Sequence, residues 1–161
     1  MGFYDSATLF AELALGLAGF AGVVSAFSGR ERSFRPAERL RLMALMVLSG
    51  IVFAGSLIYV TLSVAGVEGS ASRQATAIIC ASGTAFVAAT MLPQLWRRFQ
   101  DADATVGRWS FYLASALVLG SLAVYVTAAT SFGAIWMIAL GFTLQLLHGL
   151  WMFVLLLTRP N

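Results

Sequence analysis

Hydrophobic positions in this chain come in long blocks, and the charged residues are clumped between them. From Leu42 to Ala65 the only ionisable side chain is Tyr59. Crossing a hydrocarbon core of ~30 Å takes about 20 residues at ~1.5 Å per residue. Five runs are long enough, at 6–28, 40–66, 75–96, 109–129 and 134–158. The pattern predicts an all-α transmembrane helical bundle of five spans, forming a single integral membrane domain over 1–161. The shortest boundary is the turn at 130–133. A four-span reading would leave Gly133 in mid-membrane, whereas Trp136 beside it marks an interface, where indole rings prefer to lie.

Composition removes the soluble alternative. The chain is 60% hydrophobic and 11% charged, with mean hydropathy +0.86. A water-facing domain carries about 25% charged residues. The net charge of +3 comes from arginine alone, since there is no lysine. These arginines sit at the ends of apolar runs rather than along one stripe, so they indicate topology and not a nucleic-acid footprint.

Arg30, Arg32, Arg35, Arg39 and Arg41 follow the first run; Arg97, Arg98 and Arg108 follow the third; Arg159 follows the fifth. On the other side stands only Arg73. This asymmetry predicts an outside N-terminus and a cytoplasmic C-terminus, as an odd number of spans requires. The first run has Asp5 and no cation before it, unlike a cleavable signal peptide. Pro36 suits the first turn of the second helix, with Glu38 near its positive end. Pro93 is expected to kink or end the third helix.

Candidate chemistry is sparse. Glu12 is the only acidic residue inside a run. Such groups face a partner or a watery cavity and are default functional candidates, although a shallow carboxylate can also reach the interface. Tyr59 and Thr61, with Tyr125 and Thr127, occupy the outer ends of the second and fourth runs. They either line a polar vestibule with Glu12 or belong to the aromatic belt. His148 lies deep in the fifth run with Gln145 on the same face, accompanied by Gly141, Leu144 and Met152. A proton relay and a structural hydrogen bond are both open to that pair. Glu12 and His148 differ in depth by roughly 12 Å, too far for a direct pair.

Ala14, Ala18, Gly22 and Ala26 form a four-residue-spaced column of small residues, a candidate packing or self-association surface. Gly55-Ser56-Leu57-Ile58-Tyr59-Val60-Thr61 is echoed by Gly120-Ser121-Leu122-Ala123-Val124-Tyr125-Val126-Thr127. The echo suggests a parallel duplication of helical hairpins, with common helix vocabulary as its alternative.

The single Cys80 and single His148 exclude an intramolecular disulfide and a zinc site, and no second histidine is present for bis-imidazole haem. Asp101 and Asp103 lack the glycine and glutamate of a calcium loop. No catalytic triad or phosphate-binding loop occurs, so neither an enzyme nor a cofactor is expected.

Phe10-Ala11-Glu12-Leu13-Ala14-Leu15-Gly16-Leu17-Ala18-Gly19-Phe20-Ala21-Gly22-Val23-Val24, continuing to Arg30, and then Arg35-Pro36-Ala37-Glu38-Arg39-Leu40-Arg41-Leu42, resembles the start of small polytopic bacterial inner-membrane proteins. The likeness covers about a quarter of the chain. It implies a multi-pass protein of the bacterial inner (plasma) membrane and carries no activity. The Ala11-Glu12 pair is similar to one in small multidrug-resistance transporters, but five spans and the lack of a Trp-Ser-Gly segment depart from them. The expected function is a homo-oligomeric channel or transporter for an ion or small solute. The alternative is a structural or accessory subunit of a larger membrane complex. The expected partners are the lipid bilayer and further copies of the chain, with no nucleic acid.

Overall fold

The computed structural model describes residues 3–31, 36–67, 69–100, 108–131 and 134–157. Five helices account for nearly all of them: α1 (Phe3–Glu31), α2 (Pro36–Val64), α3 (Gly69–Gln100), α4 (Arg108–Thr130) and α5 (Ile135–Leu157). The shortest has 23 residues, or about 34 Å of rise. All five are long and apolar enough to cross a membrane. Their outer surface is apolar as well: Phe86 is 68% exposed, Leu15 60% and Phe20 58%. A water-facing monomer rarely shows apolar surface on that scale. This is the architecture of a multi-pass membrane protein.

Every helix end departs somewhat from the apolar runs, and two of the differences have a clear local cause. α3 starts at Gly69 rather than at Ala75, because Ser72, Arg73 and Gln74 are helical although polar. Ser72 and Thr76 point their hydroxyls back at the Gly69 and Ser72 carbonyls, which satisfies them within the helix. α2 stops at Val64. Gly66 (φ 76°) adopts the left-handed conformation, and the amides of Gly66 and Val67 return to the Ser63 and Leu62 carbonyls. That is a Schellman closure, which favours glycine at this position. Pro93 does not end α3, which runs on to Gln100.

Helices α2, α3, α4 and α5 form a closed ring. Each packs on its neighbours in sequence, and α5 returns to α2. The backbones of α3 and α5 also approach each other across the ring, whereas those of α2 and α4 stay apart on the other diagonal. α1 lies outside the ring, against α2 and α5 alone among the described helices.

Neighbouring helices of the ring run antiparallel, and two side chains remote in sequence tie their ends. Gln74 Nε2, near the start of α3, donates to the Ala129 carbonyl at the end of α4 (3.0 Å). Arg41 Nη1, near the start of α2, donates to the Leu155 carbonyl at the end of α5 (3.2 Å). Both acceptors belong to the last four carbonyls of a helix, which have no partner within it. The Arg41 cation also complements the negative end of α5. We call the end holding Gln74 and Ala129 the upper end.

Ala7, Ala14 and Ala21 on α1 are all fully buried. Their seven-residue spacing drifts only about 20° per step around a helix, so one face stays turned to the ring. Gly149 of α5 admits that face closely: a methyl group built there would lie 2.9 Å from Leu17 Cδ2 and 3.7 Å from Ser49 Oγ.

Candidate functional site

The upper half of the ring encloses a string of hydrogen-bonded side chains. Tyr125 Oη of α4 donates to Gln145 Oε1 of α5 (3.0 Å). Gln145 Nε2 donates to Thr84 Oγ1 of α3 (2.6 Å), and Thr84 Oγ1 donates to the carbonyl of Cys80 (2.7 Å). Three helices are therefore joined through one amide. Tyr125 and Thr84 are fully buried and Gln145 is 1% exposed. Gln145 and Thr84 each lie ten residues, about 15 Å, below the upper ends marked by Ile135 and Gln74.

Glycine makes the string possible. A methyl group on Gly141 would collide with Tyr125 Cε1 and lie 2.7 Å from its Cζ. The phenol ring therefore packs directly against the α5 backbone, one turn before Gln145. Phe142 packs edge-on against the other side of the tyrosine, with centroids 6.2 Å apart. On α2, Gly55 leaves room for Cys80 Sγ and for the Phe142 ring, whose Cε1 stands 3.1 Å from a methyl built on Gly55.

One turn below Gln145, His148 is 3% exposed. Neither Nδ1 nor Nε2 has a hydrogen-bond partner among the described residues. The hydroxyls of Ser49 and Ser56 on α2 and of Ser115 on α4 are buried and unpartnered too. His148 borders a cavity of about 10 Å³ on the ring axis, shared with Leu48, Val87, Met91, Val118 and Met152 among others. Buried polar groups are paired in the great majority of cases, so each of these orphans calls for an explanation.

The remaining sequence candidates are distributed differently. Glu12 lies about 12 Å below the start of the span at Tyr4. It is exposed on α1, away from the ring. The α1 and α4 backbones do not approach each other closely, and Tyr125, unlike Glu12, is fully buried. Tyr59 (8% exposed) and Tyr125 are both turned inward and do not face outward as belt residues would. Thr61 and Thr127 are exposed and donate to the Leu57 and Ala123 carbonyls of their own helices.

The small-residue column also divides: Ala14 is buried, Ala18 and Gly22 are half-buried, and Ala26 is exposed. A four-residue step advances about 40° around a helix, so the column winds through roughly 120° from Ala14 to Ala26. Within the broad open surface of α1, Glu12, Gly16, Gly19, Val23 and Ala26 form one exposed face. A methyl group on Gly16 or Gly19 would meet nothing within 4 Å.

In the repeated segments, Ser56 and Tyr59 are buried, as are Ser121 and Tyr125. Three-residue and four-residue spacings both keep a pair on one helix face, so the one-residue offset does not separate the segments.

The sequence did not reveal Thr84 as Gln145's partner. Threonine in a span commonly bonds its own helix, as Thr84 also does, and no local signal distinguishes it. Among the described residues no group of three His, Cys, Asp or Glu side chains is placed to hold a metal ion. Comparisons with family models, curated proteins and solved structures each return no match.

Proposed function

We propose that this protein is a homo-oligomeric membrane transporter for an ion or small solute, working through the α2–α5 ring. The observation that carries the reading is the axial run of buried polar groups, from Tyr125, Gln145 and Thr84 down to the unpartnered His148. A purely structural bundle would fill that axis with aliphatic side chains at no desolvation cost. Ionisable groups held inside spans mark substrate, ion or proton pathways. The ring is filled in this conformation by Tyr125, Phe142, Leu45 and Leu48, all nearly or fully buried. That closure favours a transporter that opens in turn to each side over a standing channel.

The arginine distribution supports an orientation with the upper end outside and the lower end, with Arg39, Arg41 and Arg97, in the cytoplasm. The bacterial inner membrane fits the resemblance of the N-terminal segment. The matched serine–tyrosine pairs support a parallel duplication, α2–α3 with α4–α5. The diagonal placement of α2 and α4 agrees with it.

The oligomeric part of the reading rests on Glu12. A carboxylate on the outer face of α1 at this depth is costly against lipid and is relieved by a neighbouring subunit. The open surface at Gly16 and Gly19 admits a helix at short range. The same surface favours a second reading, an accessory subunit seated on a larger complex.

Flux in proteoliposomes tests the first reading. Purified protein should move protons or solute across the vesicle membrane, and His148→Leu and Gln145→Leu should abolish movement while leaving the fold intact. Absence of flux, or flux untouched by both substitutions, refutes it. Native mass spectrometry after gentle extraction separates the two readings: a homo-oligomer weakened by Glu12→Gln supports the first, and a heteromeric assembly the second.

A further inference from the structure

We propose that the outer face of α1 seats a second copy of this chain, in a parallel two-fold dimer whose two Glu12 carboxyl groups meet on the axis. The inference deepens the oligomeric part of the proposed function and rests on it. Glu12 is exposed, and no hydrogen bond or ion pair joins it to a described residue. Every other charged side chain among the described residues lies within five residues of a helix end, where water or headgroups reach it. Glu12 stands nine residues from the start of α1. It also points away from the ring, roughly 160° around the helix from the fully buried Ala14. Within one chain its carboxyl therefore faces hydrocarbon, which is costly.

What relieves it follows from the way copies share a bilayer. The arginine asymmetry gives every copy the same orientation. The axis relating two copies then lies along the membrane normal, and equal residues face each other at equal depth. A second copy thus brings a carboxyl group to the level of Glu12 with no further match of span lengths. One proton held between the two makes a short, charge-assisted O–H···O⁻ bond. The pattern along the helix agrees. Glu12, Gly16, Gly19, Val23 and Ala26 alternate steps of four and three, an average of ~3.5 residues that keeps one seam on a partner in a left-handed pair. Gly16 and Gly19 leave the space beside the backbone open, since a methyl group on either meets nothing within 4 Å, and small residues let helices approach closely. The buried series Ala7, Ala14 and Ala21 holds the opposite side of α1 against its own ring. The two rings therefore flank the α1 pair, and each keeps its own axis.

Single-cysteine variants of the full chain in a Cys80→Ala background, reconstituted in liposomes and oxidised with copper–phenanthroline, read the face in contact. Gly16→Cys, Gly19→Cys and Val23→Cys should give disulfide-linked dimers. Leu13→Cys and Leu147→Cys, exposed on another face of α1 and on α5, should give few. Native mass spectrometry should show two copies. Glu12→Leu and Gly19→Leu should each raise the dissociation constant of the dimer by at least about tenfold. Gly19→Leu extends into open space and leaves the packing of the ring untouched, so its effect reads the interface and not the fold. The proposal is overturned if all five cysteines link equally, if Leu13→Cys or Leu147→Cys links best, or if either leucine variant dissociates like the parent. A monomer, or a complex with a different protein, overturns the homo-oligomeric reading as well. A homo-oligomer joined through another face overturns this inference alone, and an intact dimer without flux refutes transport alone.

Discussion

The Tyr125–Gln145–Thr84 string predicts a specific failure of additivity. Tyr125→Phe removes the phenol and leaves Gln145 Oε1 without its donor, while Gln145 keeps its bond to Thr84. Interhelical hydrogen bonds in membranes are worth about 0.6 kcal/mol on average and up to about 1.7 kcal/mol. A fully buried bond lies towards the upper part of that range, so about 1 kcal/mol is expected. Gln145→Leu removes two bonds at once and orphans the phenol, for a loss of about 2 kcal/mol. In the double variant no orphaned phenol remains, and the loss stays near 2 kcal/mol instead of reaching ~3 kcal/mol. The coupling is thus about 1 kcal/mol. Reversible unfolding in mixed lipid–detergent micelles, read for all four proteins, measures it. Independent sites add to within about 0.5 kcal/mol. A double variant that loses the full sum would mean that the phenol and the amide are not bonded, and the string would have to be withdrawn.

Other outcomes follow from single contacts. Gly141→Ala drives a methyl group into the Tyr125 ring and should cost about 1–3 kcal/mol in the same assay. Gly120→Ala, where a methyl group meets nothing within 4 Å, should be neutral or stabilising by up to about 1 kcal/mol. Equal effects at the two glycines would contradict the packing described. Arg41→Met removes the cation that caps α5 and should raise amide exchange in the last turn of that helix more than elsewhere. Unchanged exchange there would show that the cap does not form. Cys80 is fully buried, so in vesicles it should resist a water-soluble maleimide until the protein is unfolded; rapid labelling would mean that the ring opens to water at that level.

Sequence reasoning reached the five helices because length and apolarity suffice to define a span. It also reached Gln145 and His148, because a polar residue inside a span is conspicuous. The inward direction of Tyr125 was harder, since a lipid-facing surface is as apolar as the interior and gives no amphipathic stripe to orient a helix. The α1 column does not keep to one helix face. Four-residue spacing looked like a single face but winds across half-buried and exposed positions, whereas the seven-residue series Ala7, Ala14 and Ala21 holds the inner face. Gly141 was noted only as a neighbour of Gln145, and its role depends on a tyrosine that approaches from another helix.

The tie between Arg41 and Leu155 spans 114 positions of chain. It has a consequence for how the protein is made. A ribosome adding about 5–20 residues per second needs roughly 6–23 s to travel that distance. Throughout that interval α2 is already synthesised and has no α5 to close against. The groove that receives α1 is likewise unfinished, because α5 forms one of its walls. Consecutive helices can pair as they emerge, but the closed ring, the string of Gln145 and the complete seat of α1 come into being only with the arrival of the last helix.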